Sequence, residues 1–234
     1  MKPLKTKSYG SIPHLPGSRL GPADHHCSPG QARIATEKTR DKHDLVIVQE
    51  KLDGGNVGIC KLDGKILAIT RAGYLAETSP YRTHHSFKLW VEKEETRFKE
   101  LLNEGERLCG EWMLTAVGTK YNLPHEPFVA FDLMHGKERY NYNEFKARLA
   151  YSGFVLPRLI TQGAPTSIDE AIMRLNIEGG HGALEQIEGA VWRVERKGVV
   201  DFLCKYVRHD KVDGKYLDQD IFNEMPTEFD YLKW

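Results

Sequence analysis

The chain has 234 residues, with 33 Lys and Arg against 33 Asp and Glu, so its formal net charge is zero. A hydrophobic fraction of 40% and a charged fraction of 28% are ordinary for a globular protein with a sizeable core. The longest apolar runs are four residues, as at 45–48, whereas a membrane-spanning helix needs about 20. These values exclude a membrane-spanning protein and argue against a non-specific nucleic-acid coat.

The four cysteines are scattered and form no Cys-x-x-Cys pair; they are Cys27, Cys60, Cys109 and Cys204. The N-terminus lacks the apolar core of a secretory signal. This usage is typical of reduced thiols, and we expect a cytoplasmic protein.

Charge divides the chain into three parts. Residues 1–44 carry eight Lys and Arg against four Asp and Glu, and are rich in Gly and Pro. This composition predicts an irregular basic arm. Residues 210–234 carry three basic against seven acidic residues, which predicts a short acidic extension after a central domain at 45–209. Solvated surface explains the asymmetry as well as a binding surface does.

The first elements of the central domain are strands. Residues 57–62 and 65–71 flank Asp63-Gly64, the strongest short-range signal for a β-hairpin. Further strands are predicted at 45–49, 107–114, 127–134, 154–160, 189–194 and 199–207. Helices are predicted at 91–103, 141–151 and 167–176, the last capped by Ser167 with Glu170 closing a capping box. The pattern predicts an α+β fold of mainly antiparallel sheets with flanking helices.

The tetrapeptide Lys-x-Asp-Gly occurs three times, beginning at Lys51, Lys61 and Lys211. The second copy is the predicted hairpin turn, and the third lies in the acidic extension, where it predicts another turn. Only the copy at Lys51 follows a buried-looking strand and opens into a Gly-Gly-Asn sequence. Such a backbone can approach a phosphate closely, so Lys51 is the candidate nucleophile.

Six motifs in a fixed order surround this lysine. They are Glu50-Lys51-Leu52-Asp53-Gly54-Gly55-Asn56, Thr70-Arg71-Ala72-Gly73, Gly110-Glu111-Trp112, Phe128-Val129-Ala130-Phe131-Asp132-Leu133, Glu188-Gly189-Ala190-Val191-Trp192-Arg193 and Phe202-Leu203-Cys204-Lys205-Tyr206-Val207-Arg208. This order resembles the covalent nucleotidyltransferases, which comprise the ATP-dependent polynucleotide ligases and the mRNA-capping enzymes. The resemblance covers 50–208 and implies the ligase nucleotidyltransferase fold for the central domain.

The resemblance implies that Lys51 attacks the α-phosphorus of ATP, releasing pyrophosphate and forming lysyl-AMP. The AMP then passes to a 5′-phosphate, which a 3′-hydroxyl attacks. Phe131 would stack on adenine, with Glu50 near its amino edge, while Glu188 would organise Mg²⁺. The remaining implied nucleotide contacts are Asn56, Arg71, Glu111 and Lys205. Positive charge from Lys205, Arg71 and Mg²⁺ is expected to lower the pKa of Lys51.

Asn56 separates the branches of this group. The RNA ligases usually have Asn five residues after the nucleophile, whereas DNA ligases and capping enzymes have Arg. The prediction is therefore an ATP-dependent RNA ligase of RNA repair, joining 5′-phosphate and 3′-hydroxyl RNA ends. The alternatives are a DNA nick ligase, a capping guanylyltransferase, or a homologue that binds nucleotide or RNA but is catalytically weakened.

Two features depart from the family pattern. The last motif is usually Lys-x-Lys, but Leu203 replaces its first lysine, so phosphate contact would fall on Lys205, helped by Arg208 or Lys197. Only 29 residues follow Lys205, too few for the five strands of the usual C-terminal OB barrel. We expect the basic arm to replace part of that barrel in binding RNA, unless it packs across the cleft or the core.

His25, His26 and Cys27 follow Asp24 in a sequence similar to the palmitoyltransferase signature. Those enzymes are embedded in membranes, which the composition excludes here. Zinc binding by these residues together with His84 and His85 has no matching compact module. Contact with substrate phosphate or solvent fits the histidines better. The sequence does not indicate an oligomeric state.

Overall fold

The computed structural model describes residues 2–175 and 179–234. Its helices are α1 Pro29–Thr36, α2 Arg82–Lys93, α3 Glu95–Leu101, α4 Tyr142–Leu149 and α5 Ile168–Leu175. Its strands are β1 Asp44–Lys51, β2 Gly55–Leu62, β3 Lys65–Thr70, β4 Glu106–Trp112, β5 Phe128–His135, β6 Glu138–Arg139, β7 Leu159–Gly163, β8 Gly189–Arg196 and β9 Val199–Val207. No helix among the described residues has the length and hydrophobicity to span a bilayer.

Two antiparallel sheets form the centre of the molecule. One has four strands in the order β7-β1-β8-β9, and the other has five in the order β3-β2-β4-β5-β6. The predicted hairpin is confirmed, since Asp63 and Gly64 both have positive φ at the β2–β3 turn. The predicted α+β class with antiparallel sheets and flanking helices is likewise confirmed.

Two apolar cores hold the helices against the sheets. One contains Trp90 of α2, Phe98 of α3 and Phe145 of α4, packed with Trp112 and Phe128 of the five-stranded sheet. The other packs the four-stranded sheet against α1, α5 and residues of the N-terminal segment. The sheets are thereby fixed with the ends of β1 and β8 close to β4 and β5.

The N-terminal segment is not irregular throughout. Residues 29–36 form α1, which Ser28 caps through a complete capping box with Gln31. Upstream, residues 13–15 lie along β9: Leu15 N–H donates to the carbonyl of Lys205 at 2.8 Å, and Lys205 N–H donates to that of Pro13 at 3.0 Å. This segment therefore covers the open edge of the four-stranded sheet.

The C-terminal segment also packs on the centre. Asn223 N–H donates to the carbonyl of Leu114 at 3.0 Å, and Leu232 is buried beside α2. The described residues after β9 form short 3₁₀ helices at Leu217–Gln219 and Thr227–Leu232 and no strand. The division of the chain at 44/45 and 209/210 stays a prediction.

Three predicted elements need correction. The helix predicted at 91–103 is two helices, and α2 begins nine residues earlier, at Arg82. The strand predicted at 154–160 is wrong before Leu159, because Pro157 cannot donate to a strand ladder. Ser167 does cap α5, but the Glu170 carboxylate bonds Arg174 at 2.6 Å instead of closing the box. Residue 176 of that predicted helix lies outside the described residues.

Candidate active site

A cleft of about 450 Å³ opens where the two sheets meet. The predicted site residues all line it; they are Glu50, Lys51, Asn56, Arg71, Glu111, Phe131, Glu188 and Lys205. Residues of both terminal segments complete the wall, including Tyr9, Ile12 and Asp213. A neighbouring groove of about 720 Å³ meets the cleft at Ile12 and Leu203 but contains none of the predicted residues.

Strand register places Glu188 beside Lys51. Lys51 ends β1 and pairs with Gly189, the first residue of β8, so the residue before Gly189 sits next to the lysine. Glu188 Oε2 accepts from Lys51 Nζ at 2.7 Å. A side chain at Gly189 would collide with the carbonyl oxygen of Tyr206, so glycine here is what allows β9 to approach.

The charges around Lys51 oppose the expected change in its pKa. Burial favours the neutral amine, but the carboxylates of Glu188, Glu111 and Asp53 outweigh it and raise the pKa above its usual range. The predicted lowering by Lys205 and Arg71 is therefore wrong for the protein without nucleotide. These carboxylates therefore favour the protonated form of Lys51.

Lys205 faces the same cleft from β9. Its pKa is lowered, because it is largely buried and because Lys51 repels its positive charge. Its ammonium lies 3.8 Å from a carboxylate oxygen of Asp24 in the N-terminal segment. Leu203, two residues earlier on the same strand, lines the cleft but is only 8% exposed and carries no charge.

The two cations predicted to assist Lys205 are elsewhere. Arg208 donates to Ile187 O at 2.6 Å and to Asp210 at 2.8 Å, and it does not line the cleft. Lys197 sits in the β8–β9 turn with positive φ and is also outside the cleft. Arg193, which sequence reasoning gave no role, does line it and pairs with Leu203 across the two strands.

Glu111 and Asn56 are directly opposed on β4 and β2. Glu111 Oε1 accepts from Gly54 N–H at 3.0 Å, which ties the loop after Lys51 to the second sheet. Burial raises the pKa of Glu111 to about 7, assisted by the negative charge of Glu188 and opposed by Lys51. The Asn56 Oδ1 atom is buried and has no hydrogen-bond partner among the described residues.

A β-bulge sets Phe131 in the cleft. Cys109 pairs with Asp132 and Gly110 with Ala130, so Phe131 is the extra residue of β5. Tyr9 packs against its ring edge-to-face, with centroids 5.0 Å apart. The Tyr9 hydroxyl donates to Asp132 Oδ2 at 3.1 Å. No motif marks Tyr9, and only its place as an aromatic residue in a polar segment distinguishes it.

Glu50 is the last residue but one of β1 and is 2% exposed. Gly180 N–H donates to its Oε2 atom at 2.7 Å, while Oε1 is buried without a partner among the described residues. Burial raises the pKa of Glu50 to about 7, against the effect of the Gly180 hydrogen bond. Glu50 Oε1 packs against the same loop, since a side chain at Gly179 would collide with it.

The donor set suits a hard cation but does not form a complete metal cage. The described residues contain no cluster of three or more His, Cys, Asp or Glu side chains arranged for a metal. Among the described residues, Glu188 is the one carboxylate in an ion pair with Lys51, and burial raises its pKa. Mg²⁺ commonly takes one or two carboxylates, with substrate phosphates and water completing its shell. Glu188 therefore fits a metal that is shared with a phosphate ligand.

The histidines considered for zinc are dispersed. His25 and His26 are exposed on the N-terminal segment, whereas His84 and His85 both contact Ser79 next to α2. Cys27 is a buried free thiol. No zinc site is built from these residues in the described part of the chain.

Comparison with known proteins gave matches in families, curated sequences and structures. The RNA ligase family matches residues 44–207. An uncharacterised protein from Methanocaldococcus jannaschii is 26% identical over 126 residues, which is 53% of this chain and 28% of that protein.

Two solved structures share the fold. An archaeal ATP-dependent RNA ligase superposes with a TM-score of 0.52 at 20% identity, over 84% of this chain and 48% of that one. A Naegleria gruberi RNA ligase mutant with ATP and Mn gives 0.52 at 16% identity, over 86% of this chain and 60% of that one. The matches thus span less than two thirds of each of these relatives.

Proposed function

The chain belongs to the RNA ligase family, and we propose that it is an ATP-dependent RNA ligase acting through lysyl-AMP on Lys51. It would join 5′-phosphate and 3′-hydroxyl RNA ends, as in RNA repair. The observation that carries the proposal is the convergence of Lys51, Glu188 and Lys205 in one cleft. Nucleotidyl transfer needs a nucleophilic amine, a carboxylate that can hold a metal ion and a cation that stabilises the phosphate charge.

We propose adenine as the base, with its exocyclic amine directed at Glu50, a residue of the cleft lining. Glu50 Oε1 is a buried acceptor without a partner among the described residues, and the exocyclic amine of adenine is a donor. Guanine would present a carbonyl oxygen at that position. Phe131 offers a ring beside it for stacking. The archaeal relative is described as ATP-dependent, and the Naegleria mutant was solved with ATP and Mn.

The first step requires Lys51 to lose its proton and attack the α-phosphorus in line with the departing pyrophosphate. Glu188 would hold the divalent cation, which supplies positive charge to the phosphate oxygens when bound. With Glu188 engaged in this way, Lys51 would lose one of the three carboxylate interactions that raise its pKa. Lys205 and Arg71 are placed to stabilise the phosphate charge that develops. Mg²⁺ is the cation we propose, since the donors are oxygens.

Adduct formation with radiolabelled nucleotide tests the proposal. Wild type incubated with α-labelled ATP and Mg²⁺ should become labelled, whereas Lys51→Ala should not. Lys61→Ala is the matched control, because Lys61 is in the second copy of the tetrapeptide and bonds backbone carbonyls near α3. Labelling of Lys51→Ala at the wild-type level would refute the assignment.

Substrate choice needs a second assay with labelled ends. Nicked and single-stranded RNA and DNA, each with 5′-phosphate and 3′-hydroxyl ends, should be offered in parallel. We expect RNA to be sealed and GTP to give no adduct in place of ATP. Equal or better sealing of an all-DNA nick would refute the RNA assignment while leaving the adduct chemistry intact.

A further inference from the structure

Lys211, in the third copy of the tetrapeptide, is buried against the first copy. Its side chain is 4% exposed, and its ammonium contacts Asp53 Oδ2 and the Thr119 hydroxyl. Gly118 N–H donates to the same carboxylate oxygen at 3.0 Å. Lysine is almost never fully buried unless paired. Sequence reasoning assigned this residue only to a turn in the acidic extension.

The neighbours of Lys211 leave it little freedom. A side chain at Gly118 would meet the carbonyl oxygen of Val212 at 2.7 Å and Lys211 Cε at 3.1 Å. Tyr216 N–H donates to Val117 O at 2.8 Å. The C-terminal segment is therefore packed closely along 117–119, and Lys211 is fixed between that stretch and Asp53.

Asp53 belongs to the loop that directly follows the proposed nucleophile, Lys51. The loop joins β1 to β2 through Leu52, Asp53 and Gly54. Gly54 N–H donates to Glu111 at 3.0 Å, and Asp53 N–H donates to the Tyr121 hydroxyl at 3.3 Å. Among the described residues, Lys211 is the one side-chain cation in an ion pair with this loop.

We propose that Lys211 is a positioning residue for Lys51, acting through Asp53. The inference rests on the proposed function. Without Lys211, Asp53 would be a buried carboxylate with no cation, two residues from the ammonium of Lys51. The two would then pair, and Lys51 would be drawn away from the line of attack on the α-phosphorus. Lys211 prevents this by holding the Asp53 carboxylate in an ion pair.

The expected defect is in the rate of adduct formation and not in ATP binding. A displacement of about 1 Å at a reacting group can cost on the order of 100-fold in rate. Lys211 itself lies outside the cleft lining, so its removal takes no contact from the nucleotide. We expect Lys211→Met to lower the maximal single-turnover rate by roughly 10- to 100-fold, with the ATP concentration for half-maximal rate changed by less than about threefold.

Two variants serve as controls. Lys215→Met removes a lysine from the same segment, but one that is exposed and pairs with Glu185 at 2.6 Å on the surface. It should keep the wild-type rate. Lys211→Arg retains the charge and should recover most of the loss. Circular dichroism and thermal melting at the assay temperature give the folded fraction by which each rate is divided.

A double-mutant cycle keeps the test decisive where Lys211→Met alone fails to fold. In an Asp53→Asn background no carboxylate is left unpaired, so adding Lys211→Met should change the rate by less than about twofold. A further 10-fold loss in that background would show that Lys211 does not act through Asp53, and so would a wild-type rate in folded Lys211→Met. A wild type that forms no adduct overturns the proposed function and this inference together.

Discussion

Lys205 is the one cation of the motif at 202–208 that lines the cleft. Leu203 supplies no cation, and neither Arg208 nor Lys197 reaches the cleft. The pKa of Lys205 is lowered by burial and by Lys51, so a bound phosphate would relieve repulsion between the two lysines. Arg71 also lines the cleft, but it is exposed and its guanidinium bonds the Ser11 hydroxyl at 3.2 Å.

Replacing Lys205 by alanine should therefore severely reduce lysyl-AMP formation. Removal of one preorganised charge-stabilising donor costs on the order of 10²–10³ in rate, and we expect that range in single-turnover labelling with ATP. Lys197→Ala, in the turn of the same hairpin, should label at the wild-type rate. A loss of only a few-fold in Lys205→Ala would show that another cation of the cleft, Arg71 or Arg193, holds the phosphate.

The site could be predicted residue by residue where a motif is contiguous in sequence. Glu188 and Lys51 are 137 positions apart, yet each carries its own local signature and strand pairing joins them. The signatures could not show that the two would pair directly, so the direction of the Lys51 pKa was wrong. Tyr9 and Lys211 were missed because their partners, Asp132 and Asp53, lie more than a hundred residues away.

At the scale of elements, the N-terminal segment is part of the cleft and of the sheet edge. Ser8 is fully buried, and a side chain at Gly58 of β2 would collide with it. Arg107 Nε donates to the carbonyl of Ser8 at 2.7 Å. Deleting residues 1–30 would thus remove wall and core together. We therefore expect such a deletion to impair adduct formation as well as RNA sealing.

Tyr9 offers a more selective test of this segment. Tyr9→Ala removes the ring that packs on Phe131, an aromatic contact of about 0.5–1.5 kcal/mol before any cavity is counted. We expect the KM for ATP in adduct formation to rise by roughly three- to tenfold, with the maximal rate little changed.

Two variants calibrate that result. Tyr9→Phe keeps the ring and loses only the bond to Asp132, so it should lie closer to wild type. Tyr74→Ala removes a half-exposed tyrosine outside the cleft and should have no effect on KM. An unchanged KM in folded Tyr9→Ala would show that Phe131 keeps its position unaided.

Local signals explain which elements were predictable. Ser28-Pro29 followed by Gln31 is a typical helix N-terminus. The surrounding glycines and prolines instead favoured the prediction of an irregular segment. Helix α2 has no side-chain cap at Tyr81, so nothing in the sequence marked its beginning. Its stability comes from Phe87 and Trp90 in the core, a tertiary contribution that a local pattern does not contain.

At the scale of the whole molecule, non-local pairing determines the architecture. β1 lies between β7 and β8, which follow it by more than a hundred residues. The antiparallel class could be inferred from hairpin signals, but this strand order could not. The loop at 179–182 also makes contacts that are distant in sequence, since Gly180 N–H donates to Glu50 and His181 contacts His125.

The two histidines form a buried pair that couples this loop to the rest of the fold. His125 Nδ1 lies 2.6 Å from the carbonyl of Glu126, so it must donate there. Its Nε2 then accepts from His181 Nδ1 at 2.7 Å. Burial, together with the neighbouring His125, lowers the pKa of His181 to about 4. The folded protein thus holds both rings neutral at pH values where a free histidine is charged.

Stability should consequently fall on mild acidification. An unfolded histidine titrates near pH 6.5. As pH falls from about 6.5 towards 4, His181 therefore binds a proton in the unfolded chain but not in the folded protein. The stability due to the neutral ring is complete above this window and is lost through it, by about 2–3 kcal/mol. His14, whose pKa is also lowered to about 4 by burial and Lys205, adds to the effect.

Urea unfolding between pH 7.5 and 4.5 measures this loss of stability. His181→Gln should be less stable at pH 7.5 but have a shallower pH dependence, whereas the exposed His209→Gln should follow wild type. Parallel curves for wild type and His181→Gln would show that the acid sensitivity arises elsewhere.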